Sequence, residues 1–380
     1  MEELQNLRNE IDKLDDQISK LFQERIKVAG KIGKIKGENG INVSHPQREK
    51  EIINRVTKSA PDEAKSIIKQ LYENIFLLSK IHQSNFINVQ SPTADKIRES
   101  LCDKKLSLPV SALVACQGVD GAYSGIAAEK LFEISDIMYF KNFEDVFNAV
   151  DKGLCEYGVL PIENSTAGSV LEVYDLMEKH NFYIVESIRM QISHVIAIKN
   201  TSSIDKVKKV YSHQQALNQC SKYVKNLGAE TIALENTAVA AKFVADCDSD
   251  DVAVICSERC AEIYGLKIVE KGVQDSKSNF TRFICISKQM QFLSGADKVS
   301  VMTSLQNKVG SLNKMLSRFA SQGLNLTKLE SRPISGLQFE FMFYFDFEGN
   351  LENEGIINLM AELENSSEKF VFLGCYKEKI

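Results

Sequence analysis

Arg25 stands where the spacing around it calls for an apolar side chain. Leu4, Leu7, Ile11, Leu14, Ile18, Leu21, Val28, Ile32 and Ile35 follow at steps of three and four, and Arg25 fills the gap. A guanidinium in such a seam is desolvated and needs an anion beside it. A carboxylate of the chain (Glu10, Glu24 or one from a partner) would serve, and so would a bound acid. Arg8 lies beside the same seam almost five turns earlier, and Lys36 one turn beyond Ile32. Arg48 and Glu49 open the next helical stretch. Further on, Tyr72, Phe76, Ser79 and Gln83 share a helix face. Ser79 and Gln83 are polar on a stripe that otherwise reads as core, as either a binding edge or a solvated helix end.

Three more stretches could do chemistry. Gln117-Gly-Val-Asp-Gly-Ala-Tyr-Ser124 runs from a strand through a glycine turn into a helix. Pro161-Ile-Glu-Asn-Ser-Thr-Ala-Gly-Ser169 is a second strand–loop–helix, dense in hydrogen-bonding side chains. Its helix N-terminal amides would suit a carboxylate, although an ordinary N-cap also explains the loop. Asn279-Phe-Thr-Arg-Phe283 enters a strand, with Thr281 and Phe283 on one face and Arg282 on the other. His194 and His213, beside strand ends, read as structural rather than as acids.

The elements that must position these groups fall into three textures. Residues 1–90 read as helix: about Leu4 to Lys36, about Gln47 to Ser59, and a third from Pro61-Asp62 to about Ser84. A helix from Leu4 to Lys36 is about 50 Å long. That exceeds what so short a segment needs, so its seam is expected to meet another chain in an intertwined dimer. Residues 110–288 alternate strands (111–116, 157–160, 184–187, 194–198, 207–211, 252–256, 281–287) with helices (122–132, 169–179, 215–226), the pattern of parallel sheets covered by helices. Residues 297–377 give strand, helix, two strands joined through Ser335-Gly336, helix and strand, a ferredoxin-like βαββαβ order. In its third strand, from Gln338, Phe339, Phe341, Phe343, Phe345 and Phe347 alternate onto one face. Polar stretches around Pro92 and Gly295 read as linkers.

Net charge is −5 with both signs interspersed, so no basic surface for nucleic acid is expected. No apolar run approaches the ~20 residues of a membrane span. The charged start, MEELQNLRNEIDKLDD, does not read as a signal peptide. Nine cysteines, none in a CxxC pair, and five scattered histidines read as reduced thiols in a cytoplasm, with no metal site and no cofactor.

The stretches LRNEIDKLDDQISKLFQERIKVAGKIGKIK, HPQREKEII and LSKIHQ closely resemble the all-helical chorismate mutase family. The resemblance implies a long-helix dimer that binds chorismate between helices. Arg8 from the partner chain and Arg25 would pair with the substrate's carboxylates, helped by Arg48 and Ser79. Lys36 and Gln83 would donate to the ether oxygen, and Glu49 would hold the hydroxyl. The implied reaction is a unimolecular rearrangement: the protein folds a flexible dianion into a reactive conformer and stabilises charge on the departing oxygen. His45 replaces an Asp usual in the family.

The patterns QGxxGAYS, PIENS and TRF, with Tyr211-Ser-His213 and Gln219-Cys220, resemble prephenate dehydratase. This implies two α/β lobes with the active site between them. Thr281 would be catalytic, with Glu163, Asn164, Ser165, Ser212, Gln219 and Glu235 lining the pocket. Gln214 and Ala122 stand where the family usually has Pro and Thr. Residues 308–333, with the run LESRP, resemble the amino-acid-binding ACT domain attached to such dehydratases. Phenylalanine would bind between two such domains, against Gly310, Ser311, Leu312, Asn325, Glu330 and Ser331. The whole is expected to be a homodimer or larger assembly that takes chorismate to prephenate and then to phenylpyruvate under phenylalanine control. Arogenate as the second substrate is an alternative, as is a non-catalytic ligand sensor.

Overall fold

The computed structural model describes every residue except 42, 85, 87–89, 104–106, 277 and 335–340. Two compact units emerge: Met1–Ile97 with Met302–Phe370, and Arg98–Val301 with Val371–Ile380.

Helix α1 (Glu2–Glu38) carries the heptad-like seam, α2 (Pro46–Lys58) starts with Pro at its first turn, and α3 (Lys65–Ser84) follows a single 3₁₀ turn at Asp62–Ala64. The His45 ring accepts the Arg48 amide and caps α2, so a helix start explains that residue without a substrate. α1 meets α3 at Gly30 and Gly33. A Cβ on Gly33 would lie 3.0 Å from the Gln83 backbone, so a larger residue would push the two helices apart by a few tenths of an ångström. Beyond that contact the seam is bare: its apolar residues from Leu4 to Ile35 are 42–66% exposed. Large apolar patches of this kind mark association surfaces.

The expected linker around Pro92 is instead a helix, α4 (Pro92–Cys102). Ser91 caps it by accepting the Ala94 amide, and Ala94 and Ile97 are buried. Glu364 accepts from the Ser91 and Thr93 hydroxyls. Polar composition hides the two apolar residues that dock this helix. The stretch around Gly295 is likewise no free linker, since Phe292 and Leu293 are buried.

The α/β region holds two sheets. In chain order its strands are β1 (Ser111–Gln117), β2 (Ile134–Phe140), β3 (Tyr157–Asn164), β4 (Gly168–Ser169), β5 (Tyr183–Gln191), β6 (Val195–Ile198), β7 (Lys209–His213), β8 (Glu230–Leu234), β9 (Val252–Cys256), β10 (Lys267–Lys271) and β11 (Phe280–Ser287). β2, β8 and β10, which the sequence reading misses, are short or mixed in composition and lie toward sheet edges. The first sheet runs β5-β11-β3-β1-β2, and the second β10-β6-β9-β7-β8. Helices α5 (Tyr123–Leu131), α6 (Phe143–Asp151) and α7 (Leu171–Lys179) accompany the first sheet. α8 (Gln214–Gln219), α9 (Ser221–Leu227), α10 (Thr237–Asp246) and α11 (Glu258–Ile263) accompany the second. The expected single helix over 215–226 is broken at Cys220. The chain crosses between the sheets twice, at residues 192–194 and 272–279. The Gly272 and Val273 amides both donate to the His194 carbonyl, and the Ile192 amide donates to that of Asn279.

The last part comprises β12 (Lys298–Leu305), α12 (Ser311–Ser321), β13 (Leu326–Pro333), β14 (Phe341–Glu348), α13 (Glu354–Ser366) and β15 (Phe370–Tyr376), with sheet order β13-β14-β12-β15. The Ser335-Gly336 junction and the strand start at 338–340 lie outside the described residues. In β14, Phe345 and Phe347 are buried, but so are Met342 and Tyr344 on the other face. The alternation therefore does not divide core from solvent. A last strand, β16 (Glu378–Lys379), joins the first sheet beside β5.

Candidate active sites

Ser79 is the hinge of the helical site. Its hydroxyl donates to the Ile75 carbonyl at 2.6 Å and receives Arg25 Nη1. Arg25 also reaches the Ile75 carbonyl at 3.5 Å, and its guanidinium stands 5.7 Å from the Phe76 ring centre. Among the described residues no carboxylate pairs with Arg25, so Glu10 and Glu24 are not its partners. Burial pulls its pKa down, and Tyr72 offsets this in part. One turn after Ser79, Gln83 is buried with Oε1 unpartnered among the described residues. Lys36 Nζ donates to the Val43 carbonyl at 2.8 Å. Arg48 does not join this group but holds Glu51 at 3.1 Å on the surface. Glu49 is bound by Lys80 at 3.1 and 3.2 Å. Nothing in the sequence singles out Lys80, because helix surfaces are rich in lysine. Arg8 is exposed. It lies 17 residues before Arg25, about 26 Å along the same helix, too far to touch a ligand bound at Arg25 of the same copy.

In the α/β region, the register of β11 on β3 sets Thr281 opposite Asn164 and Arg282 opposite Glu163. Asn164 Oδ1 accepts the Thr166 and Ala167 amides at 3.0 and 2.8 Å, which fixes the orientation of its amide. Its Nδ2 then donates to Thr281 Oγ1 and Asn279 Oδ1, both at 2.8 Å. With its oxygen engaged, Asn279 turns Nδ2 to Gln219 Oε1 at 3.0 Å. Gln219 Oε1 also contacts His194 Nε2 at 3.1 Å, so that nitrogen carries hydrogen. His194 Nδ1 faces the Tyr123 hydroxyl, which donates to the Ser193 carbonyl at 2.6 Å. Burial lowers the His194 pKa, with Gln219 opposing, so the ring is neutral near pH 7. One network thus joins both crossovers and both sheets to Thr281. Because Thr281 accepts from Asn164, its own proton is left free to donate.

A cavity of about 340 Å³ borders this network, lined by Thr166, Ala167, Gln219 and Asn279 among others. Asn279 and His194 are the residues the sequence reading undervalues: one precedes Thr281 by two positions, and the other reads as merely structural. His213 does cap α8, accepting the Gln215 amide.

Three expected pocket residues stand elsewhere. Glu163 lies on the face opposite Asn164 by strand alternation and pairs with Arg282 at 3.4 Å. Ser212 is fully buried and donates to the Ile255 carbonyl at 2.6 Å, so its hydrogen is committed to the sheet. Glu235 pairs with Lys141 at 3.8 Å near the surface. Ser165 stitches the loop to β11, donating to the Ser278 carbonyl at 2.8 Å and accepting the Phe280 amide at 2.9 Å.

At the expected effector site, Gly310 has φ 81°, a conformation suited to glycine, and begins α12 ahead of Ser311 and Leu312. Asn325 Nδ2 donates to Glu348 at 3.0 Å, Glu330 pairs with Lys328 at 3.4 Å, and Ser331 is exposed on β13.

Residues 7–84 match the chorismate mutase type II family model, and residues 114–291 match that of prephenate dehydratase. A bifunctional chorismate mutase/prephenate dehydratase of Aquifex aeolicus is 32% identical, over 100% of this chain and 99% of that protein. Arogenate dehydratase/prephenate dehydratase 2 of Arabidopsis thaliana is 35% identical, over 81% of this chain and 80% of its own length. A solved prephenate dehydratase from Arthrobacter aurescens, in complex with L-Phe, superposes with TM-score 0.65 at 26% identity, covering 70% of this chain and 89% of that one.

Proposed function

This chain belongs to the bifunctional chorismate mutase/prephenate dehydratase family, and we propose where each of its two reactions takes place. It is an enzyme of phenylalanine biosynthesis that rearranges chorismate to prephenate and then decarboxylates and dehydrates prephenate to phenylpyruvate.

The first reaction is assigned to the α1–α3 groove. The observation that carries this is Arg25, half-buried beside Ser79 with no carboxylate of the described chain against it. A substrate carboxylate supplies the missing anion. Gln83 and Lys36 donate to the ether oxygen as charge accumulates there, and the Glu49–Lys80 pair receives the hydroxyl. Fixed cations and amides stabilise that charge without reorganising. Arg8 comes from a second copy, whose α1 covers the exposed seam of the first. The bare apolar stripe supports a homodimer of long helices.

The second reaction is assigned to the cavity beside Asn164, Gln219 and Asn279. Thr281 donates its uncommitted proton to the departing ring hydroxyl. The Gln219 Nε2 and the Thr166 hydroxyl on the cavity wall bind carboxylate. Loss of carbon dioxide supplies the electron pair that expels the ring hydroxyl, which leaves as water with the Thr281 proton; solvent reprotonates the threonine, and the ring becomes aromatic. Thr281 only assists a leaving group, so a neutral hydroxyl held by neutral amides suffices. The helices produce prephenate in the same polypeptide, which favours prephenate over arogenate. Comparing turnover of the two acids decides between them.

Residues 1–90, 110–288 and 297–377 form mutase, dehydratase and regulatory domains. The βαββαβ order with sheet order 2-3-1-4 supports a ferredoxin-like ACT domain. Phenylalanine acts there as inhibitor, against Gly310–Leu312, Asn325, Glu330 and Ser331. The enzyme works in the cytoplasm. Purified protein given chorismate should form prephenate and then phenylpyruvate, and added phenylalanine should slow the second step. Chorismate left unconsumed would end this reading.

A further inference from the structure

Arg189 on β5 and Arg282 on β11 are register partners. Two guanidinium groups directly opposite each other on neighbouring strands repel, and the Arg282 side chain is only 8% exposed. Arg189 keeps 46% of its side chain exposed, but the buried Arg282 persists only with carboxylates against it. Glu163 serves Arg282 at 3.4 Å from one side. From the other side comes Glu378, 11% exposed, which lies 2.5 Å from Arg189, 4.0 Å from Arg282 and 3.1 Å from Lys298. One carboxylate thus answers three cations.

Glu378 is delivered by β16, whose register on β5 sets Glu378 opposite Ser187 and Lys379 opposite Ile188. The Ser187 amide donates to the Lys377 carbonyl at 3.0 Å, and Lys379 holds Glu186 at 3.2 Å. Gly374 (φ 145°) passes so close to the Ile184 backbone that any Cβ there would strike it. The other face of the same two strand pairs is the dehydratase site: Thr281 precedes Arg282, and Asn164 follows Glu163.

We propose that Glu378 is a positioning residue for the dehydratase reaction. Its charge holds Arg189 and Arg282 together, and so holds β11 against β5 in the register that points Thr281 at its substrate. The proposal rests on Thr281 being the proton donor. The test uses the full chain with Glu378→Gln, Arg189→Gln, both together, and Thr281→Ala. Glu378→Gln should lower kcat on prephenate roughly 10- to 100-fold, as small misplacements of reacting groups do, with KM and mutase turnover little changed. Arg189→Gln should be near parental alone and should restore most of the activity lost in Glu378→Gln, because it removes the repulsion. A residue that merely packs would give additive losses instead. Additive losses, or a Glu378→Gln kcat within about twofold of parent, a factor worth under about 0.5 kcal/mol, would overturn the proposal. Retained activity in Thr281→Ala would instead overturn the assignment of Thr281 itself.

Discussion

Asn164→Asp exchanges one side-chain amide for a carboxylate and should disable the dehydratase. In the parent, Nδ2 donates to Thr281 and Asn279 at 2.8 Å each, while Oδ1 accepts two backbone amides. A carboxylate keeps the two accepted bonds and loses both donations. Each lost bond is worth about 1 kcal/mol, and each buried acceptor left without a donor costs about 1–3 kcal/mol. With two acceptors left unpaired, a cost that already includes the lost bonds, the local loss is about 2–6 kcal/mol before relaxation. Relaxation has an obvious route, since Thr281 can turn its hydrogen onto the new carboxylate. That relieves the strain and withdraws the proton from the substrate. Losing a preorganised donor of this kind costs about 10²- to 10³-fold in kcat. The assay is prephenate turnover by the full chain, with thermal melting to check folding and chorismate turnover to check the helical site. Acidification should return part of the activity, because the introduced carboxyl group, once protonated, can again donate to Thr281. A folded Asn164→Asp protein with kcat within about threefold of parent, under about 1 kcal/mol, would refute the hydrogen-bond direction derived for Thr281.

Gly33→Ala places a methyl 3.0 Å from the Gln83 backbone. It should cost about 1–3 kcal/mol of stability, as overpacked contacts do, and should depress mutase turnover while sparing prephenate turnover. His194 has a pKa lowered by burial, so the unfolded chain takes up its proton first. The stabilisation is complete above about pH 6.5, the ordinary histidine value, and falls as pH drops through and below it. His194→Gln should flatten the dependence of melting temperature on pH in that range, and an unchanged slope would contradict the neutral buried ring. Replacing Leu14 and Leu21 of the exposed seam by Asp should dissociate the proposed dimer in sedimentation experiments and lower mutase turnover with it.

The helical part is the most legible because one seam of threes and fours fixes both α1 and the anomaly at Arg25. The expected and observed boundaries of α1 differ by only two residues at each end. The dehydratase motifs point to Asn164, Gln219 and Thr281, which the fold joins in one hydrogen-bonded network, but alternation along β3 sends Glu163 to the opposite face. A motif read as a string does not say which of its residues turn away. Ser212 misleads for a different reason: a buried serine in a strand satisfies a carbonyl near in space but far along the chain. Asn279, His194 and Glu378 act through partners distant in sequence, and no local pattern announces them. The helix at Pro92 is hidden because two buried residues in eleven suffice to dock it.

Separate sites in one chain are proposed for the two reactions, and following chorismate, prephenate and phenylpyruvate together over time tests that most directly. Arg25→Ala should leave chorismate untouched yet convert supplied prephenate at close to the parental rate. Thr281→Ala should consume chorismate and accumulate prephenate. A well-folded variant of either kind that had lost both reactions, or neither, would contradict it.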